Sequence, residues 1–227
     1  ECGHELAAKP APPPKELSFY EKLTKIQKYL PKGLTEKILS QKDRIEGERK
    51  QVTVLFADVK GSMDLAEQVD PEEWHRILDR FFQILADGVH RYEGTVNQYT
   101  GDGIMALFGA PIAHEDHARR ACYTALHLGE QLSAYAQELK REHGLTFSVR
   151  MGLNSGEVIV GKIGDDLRMD YTAEGDTTNL ASRMESEARP GHVLVSKTTH
   201  KIACDFFEFE PMGNVEVKGK REPQAAY

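Results

Sequence analysis

Asn97-Gln-Tyr-Thr-Gly-Asp-Gly-Ile-Met-Ala-Leu-Phe108 joins two short runs of β-forming residues, Thr95–Tyr99 and Ile104–Phe108, through Gly101-Asp102-Gly103. Runs of that length on either side of a glycine-rich turn predict a hairpin. Glycine on both sides of the acid lets the backbone turn sharply and pushes the Asp102 carboxylate beyond the sheet. A second acid ends another strand, Gln51-Val-Thr-Val-Leu-Phe-Ala-Asp58, which is followed by Val59-Lys60-Gly61-Ser62. If the two strands are neighbours, Asp58 and Asp102 converge at one end of the sheet. Two carboxylates with little other charge beside them make a Mg²⁺ or Mn²⁺ site whose remaining coordination positions can take phosphate oxygens. The pattern points to phosphoryl transfer.

Between these strands, Asp70-Pro71-Glu72-Glu73 has the signature of a helix start, and Trp74, Ile77, Leu78, Phe81, Phe82, Leu85 and Val89 fall on one face up to Glu93-Gly94. That stripe reads as core. After the hairpin a long helix is expected from about His114 to Glu142. Its opening, His114-Glu-Asp-His117, could be a metal motif, but two imidazoles with acids beside a helix N-terminus read better as solvated side chains and dipole-favoured acids. Thr146–Asn154 and Glu157–Ile163 are expected to be two strands of a hairpin turning at Ser155-Gly156, with a short strand at Arg168–Ala173. A helix follows Gly175-Asp176, with Asn179 and Arg183 one turn apart on one face. Such a pair could grip a ribose or a phosphate, or make a local surface hydrogen bond. Val193–Ser196, Phe206–Glu210 and Asn214–Val217 read as later strands, and Lys218-Gly-Lys-Arg221 is a basic turn able to supply cations to a triphosphate.

The order β-α-β-β-α-β predicts an α+β fold: a ferredoxin-like antiparallel sheet with helices packed on it, plus extra C-terminal strands. Neither glycine-rich nucleotide loop, GxGxxG or GxxxxGK[ST], is present, so phosphate binding must use metal with Arg and Lys. Three units are expected. Residues 1–15 form a disordered stub and proline-rich linker, with Cys2 and His4 fitting the remnant of an upstream zinc ribbon that one Cys and one His cannot complete alone. Residues 16–49 form a helical segment with Phe19, Leu23, Ile26 and Leu30 in one stripe, which either transmits a signal and pairs in a dimer or packs on its own domain. Residues 50–227 form the main domain.

A net charge of −7 over 227 residues argues against a broad nucleic-acid surface. No apolar run is long enough to span a bilayer, no signal-peptide pattern opens the chain, and three scattered cysteines suit a reducing cytoplasm. A first residue of Glu1 rather than Met suggests a piece of something longer, with regulatory domains upstream or downstream.

Five segments taken together, VTVLFADVKGS, NQYTGDGIMALFGAP, VRMGLNSGEVIVGKIG, YTAEGDTTNLASRMES and NVEVKGKREPQAAY, resemble the catalytic domain of class III nucleotidyl cyclases, in the bacterial and soluble-type flavour. The resemblance implies a homodimer with two active sites at its interface and two Mg²⁺ or Mn²⁺ ions per site, turning a nucleoside triphosphate into a 3′,5′-cyclic nucleotide and pyrophosphate. It implies that Asp58 and Asp102 bind the metals, with the Val59 carbonyl assisting. From the other subunit, Asn179 would orient the ribose, Arg183 would stabilise charge on the α-phosphate, and Lys218 would hold the terminal phosphates. Arg168 is a looser match to a basic residue that helps pyrophosphate leave.

The base-reading positions depart from the family pattern. Gln98 stands where adenylyl cyclases usually carry Lys and guanylyl cyclases Glu, and Thr172 stands at the partner position, commonly Asp or Thr with ATP and Cys with GTP. A glutamine amide both donates and accepts. Thr172 tilts the expectation to ATP as substrate and to an adenylate cyclase. A guanylate or mixed cyclase and a catalytically silent nucleotide-binding regulatory module are the alternatives. A diguanylate cyclase, which shares the sheet order, should carry a Gly-Gly-Asp/Glu-Glu-Phe turn that this chain lacks.

Overall fold

The computed structural model describes residues 48–163, 169–172, 176–216 and 222–227. The expected N-terminal stub, nearly all of the helical segment, Arg168 and Lys218 lie outside these residues.

A central antiparallel sheet is built on β1 (Arg49–Val59), which pairs along one edge with β3 (Gly103–Phe108) and along the other with β4 (Val149–Ile163). With β2 (Thr95–Tyr99) and β5 (Met169–Thr172) outermost, the order is β2-β3-β1-β4-β5, and β6 (Val193–Val195) adds parallel to β4. The first four strands have the predicted ferredoxin-like arrangement. A two-stranded ribbon, β7 (Gly213–Val215) with β8 (Gln224–Ala226), follows at the C-terminus.

Period-2 alternation along β1 separates two cores. Leu55, Ala57 and Val59 face α2 (Pro71–Arg91) and α3 (His117–His143), where Phe81, Leu85, Val89 and Leu128 are fully buried. Burying each such side chain is worth about 2 kcal/mol. Val52 and Val54 face the other way and meet Met105, Leu107, Val158 and Ala181 of α4 (Thr177–Glu187). Asp70 precedes α2 in extended backbone with Pro71 at its first position, and Gly144 ends α3 with a left-handed φ of 70°. Two short helices complete the described elements: α1 (Ser62–Ala66) after β1, and α5 (Lys197–Ala203), capped by Ser196 accepting from the Thr199 N–H.

Three expectations are corrected. Residues 146–163 do not form a hairpin at Ser155-Gly156. They run through as one strand, because Ser155 and Gly156 pair with Thr53 and Val52 of β1, and Gly156 is needed for contact rather than turning: a Cβ there would stand 2.6 Å from Thr177 Oγ1. Phe206–Glu210 has the alternation of a strand but no pairing among the described residues; Phe207 and Phe209 pack against the core as loop residues. His117 is not a solvated imidazole. It is 7% exposed, with Nδ1 2.8 Å from Thr53 Oγ1, while His114 stays outside the helix near Glu93.

Candidate active site

The acids predicted to converge do so. Asp58, at the end of β1, stands opposite Gly103 on β3 and Arg150 on β4, and Asp102 occupies the tip of the β2–β3 turn. The turn is held from β1: the Val59 N–H donates to the Asp102 carbonyl at 3.1 Å. Gly101 adopts φ 97°, a value side chains rarely tolerate. Ser62, at the start of α1, donates its hydroxyl to Asp102 Oδ2.

The surroundings are acidic. Arg150 Nη2 lies 3.8 Å from Asp58 Oδ1 and 2.9 Å from Oε1 of Glu185, a carboxylate buried on α4. The guanidinium also donates to the Ser186 carbonyl at 3.1 Å, and among the described residues its Nε–H has no partner. Asp58 and Glu185 therefore share the Arg150 guanidinium, and Asp102 adds a third negative charge beside them. Burial first, then the charges of Asp102 and Glu185, push the Asp58 carboxyl up to about 7, with Arg150 pulling the other way. Glu185 is also raised, chiefly by burial and against the pull of Arg150. Added positive charge would relieve this crowding.

A divalent cation fits that donor set. Among the described residues no group of three or more His, Cys, Asp or Glu is arranged to hold a metal ion. Asp58 and Asp102 would give two hard oxygen ligands, with the Val59 carbonyl, water and phosphate oxygens able to complete the coordination. An open site of this kind suits catalysis better than structural metal binding.

Four further predicted residues lie on other described elements. Gln98 is exposed on β2 opposite Met105, beside a bulge in the strand, and Thr172 lies on β5 opposite Ile159. Asn179 is exposed on α4. Arg183 is held by the Glu216 carbonyl, which accepts from its Nε at 2.9 Å, and by Glu187 at 2.8 Å.

Sequence reasoning missed Ser62, Arg150 and Glu185. Arg150 gave a signal, as a charge inside the apolar strand Val149-Arg-Met151 that needs a partner. Glu185 gave none, because its burial depends on how α4 lies on the sheet.

The family model described as adenylate and guanylate cyclase catalytic domain matches residues 46–227. The chain belongs to this family. Among its relatives, adenylate cyclase 1 of Rhizobium meliloti is 35% identical over 175 residues, covering 76% of this chain and 26% of that protein. The chain thus spans about a quarter of that relative's length. Among solved structures, the adenylyl cyclase CyaB from P. aeruginosa superposes with a TM-score of 0.73 at 32% identity, covering 79% of this chain and 93% of that one. The guanylate cyclase domain of RhGC from Catenaria anguillulae, in complex with GTP, gives a TM-score of 0.69 at 30% identity, covering 79% and 96%. This cyclase domain thus resembles proteins named for either purine. No helix among the described residues is long and apolar enough to cross a membrane.

Proposed function

We propose that the chain is the catalytic domain of an adenylate cyclase, forming 3′,5′-cyclic AMP and pyrophosphate from ATP at the interface of a homodimer. The observation that supports this most is the meeting of Asp58 and Asp102 at one end of the sheet, in a cluster whose negative charge exceeds what Arg150 can offset.

In this reading Asp58 and Asp102, with the Val59 carbonyl, hold two Mg²⁺ or Mn²⁺ ions. Bound there, the metals supply charge neutralisation for the triphosphate and acidity for the ribose 3′-hydroxyl. The 3′-oxygen forms a bond to the α-phosphorus, the bond from that phosphorus to the bridging oxygen breaks, pyrophosphate leaves, and the hydroxyl proton passes to solvent. Asn179 of the second copy orients the ribose, and Arg183 of the second copy stabilises charge at the α-phosphate, the kind of contribution often worth ~3 kcal/mol. Lys218 and Arg168 hold the departing phosphates. Arg150 adds a cation from the same chain as the acids. The placing of Asn179 and Arg183 on α4, with Arg183 held by Glu216 and Glu187, is consistent with their serving the partner's acids. Gln98 and Thr172 face the base, and Thr172 favours adenine.

The test is product formation from ATP and GTP side by side, with Mg²⁺ and then Mn²⁺. A predominance of cyclic AMP supports the reading. A predominance of cyclic GMP retains the mechanism and overturns the base assignment. Absence of product from both, at concentrations where the dimer forms, overturns the enzyme in favour of a nucleotide-binding regulatory module.

A further inference from the structure

We propose that Asn154 is a positioning residue for the cyclase reaction: its carboxamide fixes the first turn of α4 on the sheet, and with it the location of Asn179. The proposal rests on the adenylate cyclase reading above.

Among the described residues, the edge of β4 that faces away from β1 is paired with β6 at Met151–Leu153 and with β5 from Ile159 onward. Side chains take up the interval between. Ser196 donates its hydroxyl to Asn154 Oδ1 at 2.6 Å, and Asn154 Nδ2 donates to the Thr177 carbonyl at 2.8 Å. The Thr177 hydroxyl in turn donates to the Glu157 carbonyl at 2.9 Å. A carbonyl can only accept, so the amide orientation of Asn154 is determined. Asn154, Thr177 and Ser196 are 3%, 8% and 1% exposed. The chain of contacts continues inward through Thr199 Oγ1, Ser155 Oγ and Thr53 Oγ1 to His117 Nδ1, with spacings of 2.7 to 2.8 Å from Thr199 onward.

Gly152, Asn154 and Gly156 share one face of β4, and α4 lies against it. A Cβ on Gly152 would stand 2.0 Å from the Glu185 nitrogen, and one on Gly156 would stand 2.6 Å from Thr177 Oγ1. These contacts set how near the helix comes, and a hydrogen bond adds a directional constraint to them. The Asn154 bond is directional and acts on Thr177, two residues before Asn179. A buried amide costs desolvation that an apolar residue would avoid. What it adds here is the register of α4 against the strand pair that carries Asp58 and Arg150.

The experiment uses the whole chain with steady-state kinetics on ATP and thermal unfolding in parallel. Asn154→Ala is expected to lower kcat about ten-fold while KM changes by less than about two-fold. Thr53→Val, which cuts the same network at its inner end, is expected to lower Tm comparably and leave kcat within about two-fold. Asn154→Asp keeps the shape and replaces the donor by a group that donates only when protonated. Its kcat relative to wild type should therefore rise as pH falls from about 8 to about 6, while the Asn154→Ala ratio stays flat. The other charged groups on the elements packed here, Arg150 and Glu157 on β4, Asp176, Arg183, Glu185 and Glu187 at α4, Lys197, His200 and Lys201 on α5, and His117 on α3, are common to all variants, so the ratio reports the added carboxylate. An unchanged kcat in Asn154→Ala, an equal loss of kcat in Thr53→Val, or a flat ratio for Asn154→Asp each overturns the proposal. The last applies even if the alanine variant does not fold. Wild type active on GTP alone leaves these comparisons to be read with GTP; wild type inactive on both overturns the underlying reading and this proposal with it.

Discussion

Gly103 stands directly opposite Asp58 across β1 and β3, and a Cβ on Gly103 would lie 2.4 Å from the Ala57 carbonyl oxygen and 2.8 Å from Asp58 Oδ2. The glycine after Asp102 is therefore required by the acid it approaches, not only by the turn. Gly103→Ala must displace either the strand backbone or the Asp58 carboxylate. We expect cyclase activity to fall about 100-fold, the cost of misplacing a reacting group by about 1 Å. Kinetics at saturating Mg²⁺ will check this, and wild-type turnover would show that the tip tolerates displacement.

Asp58 makes stability depend on pH in the direction opposite to a salt-bridged carboxylate. Its folded value, about 7, lies above the ordinary 3.8, so the folded state binds the proton more tightly between those values. Stability from this group is highest at low pH, declines as pH rises from about 4 to about 7, and stays reduced above that. Without divalent metal, Asp58→Asn should thus be more stable than wild type at pH 8, by about 2 kcal/mol after allowance for solvent screening, with the difference vanishing near pH 4. Urea titrations across pH measure it. Mg²⁺ should stabilise wild type more at pH 8 than at pH 6, because protons compete for the same carboxylate.

If each site takes its acids from one copy and Arg183 from the other, Asp58→Ala and Arg183→Ala should each be inactive alone. Mixed, half of the dimers carry one intact site out of two, so activity should recover to about a quarter of wild type. No recovery after subunit exchange, verified by sedimentation, would place Arg183 in the same site as its own Asp58.

Gly152→Ala tests the seating of α4. The added methyl meets the Glu185 nitrogen at 2.0 Å and the Ala181 carbonyl at 2.5 Å, both backbone atoms of a helix that cannot yield locally. A loss of about 3 kcal/mol is expected from this overpacking, read from urea unfolding. A smaller loss would mean that α4 shifts along β4 more freely than its hydrogen bonds imply.

The βαββαβ order, the hairpin at Gly101-Asp102-Gly103 and the α2 stripe were legible in the chain, because each rests on local periodicity or on turn chemistry. The meeting of Asp58 and Asp102 followed only on the condition that their strands be neighbours, which the pairing of β1 with β3 meets. Ser155-Gly156 misled for a related reason: locally it looks like a turn, and only the partners Thr53 and Val52 keep it extended. Phe206–Glu210 has strand alternation, yet a strand needs a neighbour to bond to, and packing of Phe207 and Phe209 took its place. The charge state of Asp58, the burial of Glu185 and His117, and the role of Arg150 depend on which groups distant segments bring within a few ångströms. Burial and Coulomb energy are properties of that three-dimensional neighbourhood, so residue types and spacing determined which chemistry the chain carries, and tertiary packing alone decided which groups share it and at what pH.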